Sequence, residues 1–155
     1  MELTHLTDYA LRVLMYAGVH DQRRVTMREI ATAYDISLEH LRKVVHQLAA
    51  LGYIETSRGR GGGLWLAQAP DRIELGVVVS GFERSMDIVD CDRQPCALRG
   101  NCALKGVFED ARDAFMQRLN AYTLDDLIAN ACTRDQLHRI EQPLHGPSPR
   151  PADPH

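Results

Sequence analysis

From Leu6 to Val19, apolar side chains fall at 6, 10, 13, 14 and 17, the stripe of an amphipathic helix. Thr7 is its expected cap, and Asp8 and Arg12, four residues apart, share a different face. The polar stretch Asp21-Gln22-Arg23-Arg24 interrupts the pattern. Thr26-Met27-Arg28-Glu29 then opens a second helix with a capping box, in which each of the two outer side chains satisfies the other's backbone N–H. That helix should end near Tyr34-Asp35. Ser37 caps a third, with Leu38, Leu41, Val44, Val45, Leu48 and Leu51 on its inner side and Gly52 placed to end it.

The period then changes. Tyr53 to Ser57 and Leu64 to Ala67 read as two strands, joined by Arg58-Gly59-Arg60-Gly61-Gly62-Gly63, a run suited to a hairpin turn. Three helices followed by a β-hairpin is the order of a winged helix-turn-helix. Asp71 to Glu83 is apolar enough for a further packed helix, although its β-branched run disfavours one. Residues 86–102 have no stripe and read as a loop. From Leu104, apolar residues recur at 104, 108, 111, 115, 119 and 122, a helix of about 18 residues and roughly 27 Å. So long a stripe needs a surface to cover it, either a second copy of the chain or its own domain. Thr123 caps a short helix through about Ala131. The last fifteen residues hold five of the seven prolines and read as a disordered tail.

The expected architecture is therefore mostly α. A winged helix-turn-helix occupies 1–83 and a cysteine loop 84–103. A dimerisation helix and a short helix fill 104–140, and a proline-rich tail 141–155. With 155 residues, 45% hydrophobic and 25% charged, the chain can bury one core. No apolar run approaches the roughly 18–20 residues of a membrane span. The start, Met1-Glu2-Leu3-Thr4-His5, lacks a basic segment followed by an apolar one, so the expected compartment is the cytoplasm.

The net charge of −3 is unevenly spread: residues 1–80 carry nine basic and nine acidic side chains, so the deficit lies in the second half. A local basic face on a neutral domain can contact phosphates. In a helix-turn-helix the second helix enters the major groove. Here that helix starts at Ser37 and turns Glu39, His40, Arg42, Lys43, His46 and Gln47 outward. Arg58 and Arg60, at the glycine-rich tip, can reach a narrow minor groove. A solvated face would look the same for the helix alone; helix pair, wing and spacing together favour double-stranded DNA. The glycine run lacks the Lys-Ser/Thr of a phosphate-binding loop, and no His–Asp pair accompanies the cysteines, so an enzyme is not expected.

Cys91, Cys96 and Cys102 lie within twelve residues, interrupted by Pro95 and Gly100. A disulfide would leave one thiol over and is disfavoured in a reducing compartment. Soft thiolates select zinc or iron–sulfur clusters. The close C-x2-C pairs common in zinc sites are missing, which favours a cluster. Zinc and plain redox thiols stay open, and three cysteines leave a four-iron cluster one ligand short. Cys132 lies apart, in a helical region.

Thr7-Asp8-Tyr9-Ala10-Leu11-Arg12, the Ile36-Ser37 helix start, Leu51-Gly52-Tyr53-Ile54, the glycine-rich wing and the three cysteines resemble the Rrf-type winged-helix repressors over about residues 1–130. The four-residue gap between Cys91 and Cys96 and the segment Ala121 to Leu127 resemble the family's nitric-oxide-sensitive branch more than its iron-status regulators. The resemblance implies a homodimer on a palindromic operator. It implies one iron–sulfur cluster per subunit on Cys91, Cys96 and Cys102, the four-iron form favoured and the two-iron form left open. Nitric oxide would then release the DNA of detoxification genes. It also implies Asp8 as a fourth ligand, reaching the other subunit's cluster. Otherwise Asp8 is a carboxylate complementing a helix N-terminus. Arg12 would hold that carboxylate or lie near the cluster.

Overall fold

The structure, a computed structural model, describes residues 2–91 and 95–139. Helices α1 (His5–Val19), α2 (Met27–Tyr34) and α3 (Leu38–Ala50) lead into strands β1 (Ile54–Ser57) and β2 (Gly63–Leu66). A 3-10 turn at Pro70–Arg72 precedes α4 (Leu75–Phe82), followed by α5 (Ala103–Asn120), α6 (Leu124–Ile128) and α7 (Ala131–Arg139). The tail expected over 141–155 lies outside the described residues.

The caps explain where the helices begin. Thr26 and Glu29 form the reciprocal capping box of α2, and the Ser37 side chain accepts from the His40 N–H at the start of α3. Asp35 ends α2 in the left-handed conformation (φ 53°), which turns the chain sharply into α3. α1 departs from expectation: its cap is Thr4, whose side chain accepts from the Thr7 N–H, and Thr7 is fully buried one turn inside. Both threonines hydrogen-bond Glu83, a residue no local pattern connects to them.

The core gathers Val13, Leu14 and Tyr16 of α1, Ile30 of α2, Leu41, Val44 and Leu48 of α3, Leu64 of β2, and Ile73 and Val78. Burying each such side chain contributes about 1.5–3 kcal/mol. Leu51 is an exception to the expected inner stripe. It is 43% exposed, because α3 stops at Ala50 and Leu51 lies in the turn. β1 and β2 pair antiparallel from Ile54–Leu66 to Ser57–Gly63. Val25 extends this ribbon: it exchanges backbone hydrogen bonds with Leu64 at 3.0 and 2.8 Å, fastening the hairpin to the segment before α2.

α5 has no buried residue in the chain alone. Phe108, Phe115 and Leu119 are half-buried, whereas Leu104 and Val107 are 59% and 60% exposed. Its last turn lies so close to α4 that a Cβ on Gly76 would run into the Asn120 side chain. Leu75 N–H donates to Tyr122 O at 3.0 Å, and Leu124 N–H to Ile73 O at 2.8 Å. The chain then re-enters the first core, where Leu124 and Ile128 are buried against Gly18 of α1. The single short helix expected through Ala131 is two: α6 stops at Ile128, and α7 follows with Leu137 buried.

Candidate functional site

α2, α3 and the hairpin make the helix-turn-helix and its wing. Glu39, His40, Arg42, Lys43 and His46 are all exposed on α3. Three of them are already engaged. Lys43 Nζ lies 3.1 Å from Glu39 Oε1, and this hydrogen bond holds the Glu39 carboxyl below the usual carboxylate range. His40 Nδ1 lies 2.9 Å from Ser37 Oγ, so the Ser37 hydroxyl serves the helix cap and His40 together. Arg42 and His46 are exposed on the same face. Gln47, expected outward, is instead half-buried and donates to Gly81 O at 2.8 Å.

The wing is built by glycine. Gly59 and Gly61 take positive φ (94° and 74°), which strains other residues, and a Cβ on Gly62 would run into the Ser57 carbonyl. Arg58 and Arg60 are exposed at this tip. Arg24, which sequence patterning did not single out, stacks on the Trp65 ring of β2 with its guanidinium 4.6 Å from the centroid. That cation–π contact stiffens the base of the wing. Two residues so far apart in sequence carry no local signal of such a pairing.

At the other end of α1, Asp8 is gripped by Arg12, whose Nε donates to both carboxylate oxygens at 2.9 and 3.0 Å. The Arg12 guanidinium also lies 5.5 Å from the Tyr34 ring centre. Burial pushes the Tyr34 hydroxyl well above its ordinary pKa, against the opposing pull of Arg12. Next to Asp8, Tyr9 stacks on His5 at 6.0 Å and meets the His40 ring at 6.2 Å, so the start of α1 touches the outward face of α3. Glu83, at the end of α4, accepts hydrogen bonds from Thr4 N–H (2.8 Å), Thr4 Oγ1 (3.1 Å) and the Thr7 hydroxyl. Partial burial disfavours its charge, but the Thr7 and Thr4 bonds prevail and hold its carboxyl below the usual range.

The cysteine loop leaves directly from that junction. Asp87 accepts from Ser85 Oγ at 2.8 Å and from Arg112 of α5 at 3.0 Å, tying the loop's first part to the long helix. These two hydrogen bonds lower the Asp87 pKa; Asp113 and then Asp87 raise that of Arg112. A cavity of about 100 Å³ lies between residues 87–91 and α5, lined by Cys91, Lys105, Phe108 and Arg112 among others. Cys102 takes the N-cap position of α5 without using its side chain as a cap.

Cys91, Cys96 and Cys102 are free thiols on this loop, and Cys132 is exposed on α7. As a donor set, three soft sulfurs on one loop fit an iron–sulfur cluster. Among the described residues, no three Cys, His, Asp or Glu side chains converge on a metal-holding arrangement, Asp8 and the three cysteines included.

Residues 3–130 match the Rrf2 family, described as an iron-dependent transcriptional regulator. The chain belongs to the Rrf2 family. This regulator is 44% identical to the HTH-type transcriptional regulator NsrR of Geobacillus kaustophilus, over 88% of its own length and 96% of the relative's. It is 41% identical to NsrR of Bacillus subtilis, over 84% and 92%. It is 40% identical to the HTH-type transcriptional repressor NsrR of Streptomyces coelicolor, over 83% and 89%. Its fold is that of CymR, the global cysteine regulator of B. subtilis (TM-score 0.69, 23% identity, 83% and 97% coverage). It is also that of T. potens IscR (TM-score 0.66, 22% identity, 84% and 88% coverage). The Rrf2 regulator is thus a DNA-binding transcriptional repressor rather than an enzyme, on a mostly helical winged-helix fold. No described helix is long and apolar enough to cross a membrane.

Proposed function

We propose that this repressor works in the cytoplasm as a homodimer that reads a palindromic operator and answers nitric oxide through an iron–sulfur cluster in each subunit. The observation that carries the reading is the placement of three free thiols on a loop strung between α4 and α5, whose root is bonded to α1. Cys91, Cys96 and Cys102 would hold the cluster, and the partner subunit's Asp8 would complete its ligands. When bound, the cluster supplies iron that nitric oxide can attack, with the four-iron form favoured over the two-iron form.

The chain's own residues do the rest. Arg42, Lys43, His46, His40 and Glu39 present hydrogen-bonding groups to base edges or phosphates, Ser37 fixes the start of their helix, and Arg58 and Arg60 reach the neighbouring groove. Arg12 orients the Asp8 carboxylate. The uncovered Leu104 and Val107 belong to an α5 face that a second copy would bury. Two recognition helices read a palindrome only at a spacing of about one DNA turn, roughly 34 Å, so a small displacement at their roots removes binding.

The test is an anaerobic visible spectrum before and after nitric oxide, with operator affinity followed on the same samples. A coloured protein that bleaches and releases DNA on nitric oxide supports the reading. Colour that responds only to iron supply places it with iron-status regulators of the IscR kind, and a colourless protein makes it a zinc or thiol regulator.

A further inference from the structure

Gln47 is set apart from its neighbours on α3. Arg42, Lys43 and His46 are exposed, but Gln47 is half-buried and its Nε2 donates to Gly81 O at 2.8 Å, across 34 residues of sequence. Leu51, four residues further on, brings its methyl groups against Gly81, close enough that a Cβ there would sit 3.1 Å from Leu51 Cδ1. The end of the recognition helix therefore leans on one peptide of α4 through a polar and an apolar contact.

That peptide has a special position. α4 ends at Phe82, so the Gly81 carbonyl is one of the four that a helix C-terminus leaves without an intrahelical donor. Gln47 fills it. Two residues on, Glu83 ties the same helix end to Thr4 and Thr7 of α1. The next residue begins the segment that carries the cysteines. Lengthening α4 into that segment would give the Gly81 carbonyl its own partner, the Ser85 N–H, and would free Gln47.

We propose that Gln47 is the positioning residue through which the state of the cysteine loop reaches the recognition helix, by way of the Gly81 carbonyl. It acts within one subunit and does not depend on Asp8. It rests on the reading of the loop as a cluster site that governs DNA binding. In the cluster-loaded state the bond holds α3 at its reading angle; when the loop rearranges, the bond is given up and α3 loses that support.

The experiment compares wild type, Gln47→Met and Gln47→Leu, neither of which can donate and neither of which changes the charge of the helix. Each is prepared as the full-length protein, cluster-loaded and, in a Cys96→Ala background, cluster-free. Affinity is measured for a palindromic duplex selected by the wild type from randomised DNA, at a salt concentration low enough for the cluster-free form to bind. Both substitutions should leave iron content unchanged and weaken the loaded form about 3–10-fold, the worth of one hydrogen bond, while leaving the cluster-free form as it was. Amide exchange in the last turn of α3 should quicken in the loaded variants to the rate of cluster-free wild type. Equal loss in both states would make Gln47 an ordinary DNA contact and overturn the proposal, as would no loss in either. A wild type whose affinity ignores the cluster overturns the functional reading itself, a result separate from any behaviour of Gln47.

Discussion

Arg12 holds Asp8 by both carboxylate oxygens, through a single Nε at 2.9 and 3.0 Å. The carboxylate is thereby aimed while still 44% exposed, and iron in another subunit would have to compete with Arg12 for it. An exposed i,i+4 pair contributes only about 0.3–0.5 kcal/mol, so Asp8→Ala should leave folding nearly intact. Its cluster should nonetheless be more labile, with operator affinity between those of wild type and of Cys91→Ala, Cys96→Ala or Cys102→Ala. Iron content and affinity on the same anaerobic samples check this. An Asp8→Ala protein equal to wild type in both would remove Asp8 from the ligands.

The junction at Glu83 makes a pH prediction. Its folded carboxyl titrates below the ordinary 4.5, so its stabilisation is complete above that value and is lost as acid protonates it. Wild type should exceed Glu83→Gln by about 1–2 kcal/mol near neutral pH, as expected for hydrogen bonds to a charged group. The gap should shrink in urea titrations as the pH falls below the ordinary carboxylate value and on through the lowered pKa of the folded protein. A gap that does not change with pH would show that the charge is not what Thr4 and Thr7 hold.

Leu104 and Val107 are the test of the dimer, rather than the half-buried Phe108 and Phe115. Leu104→Asp and Val107→Asp should each shift sedimentation from dimer to monomer with little change in the helical signal. A wild type that sediments as a monomer would refute the assembly directly.

On the DNA side, Arg58→Ala and Arg60→Ala should each weaken operator binding and lower the salt slope by about one. Arg42→Ala should weaken it by about 1–3 kcal/mol if a bidentate base contact is lost. Lys43→Ala should do less, because Lys43 is shared with Glu39. Unchanged affinity in all four variants would move the interface elsewhere.

Helix caps with a local signature were legible in the chain: the Thr26–Glu29 box and the Ser37 cap depend on residues three apart. The wing was legible because glycine marks its positive-φ turns. What escaped depends on distance along the chain. Thr7 looks like a cap in the sequence because its partner, Glu83, lies 76 residues away. Gln47 reads as outward because helical periodicity does not reveal a carbonyl 34 residues ahead. Asp87 and Arg112 gave no signal, since an ion pair across a loop has no period. The spacing of the cysteines proposes a donor set; whether they converge depends on loop conformation and bound group, which spacing does not encode.

The return of Leu124 and Ile128 to the core of α1 has a consequence for dissection. The cysteine loop and α5 form an excursion spliced into a single folded body, leaving from Glu83 at one end of α4 and rejoining at Asn120 and Tyr122 beside the other. A fragment cut at residue 83 would expose the Gly18 side of α1 and lack part of its interior. The helix-turn-helix and the cysteine loop are therefore inseparable by truncation. Neither end of the excursion is loose, so strain arising in it has no free terminus through which to relax and is delivered to α4.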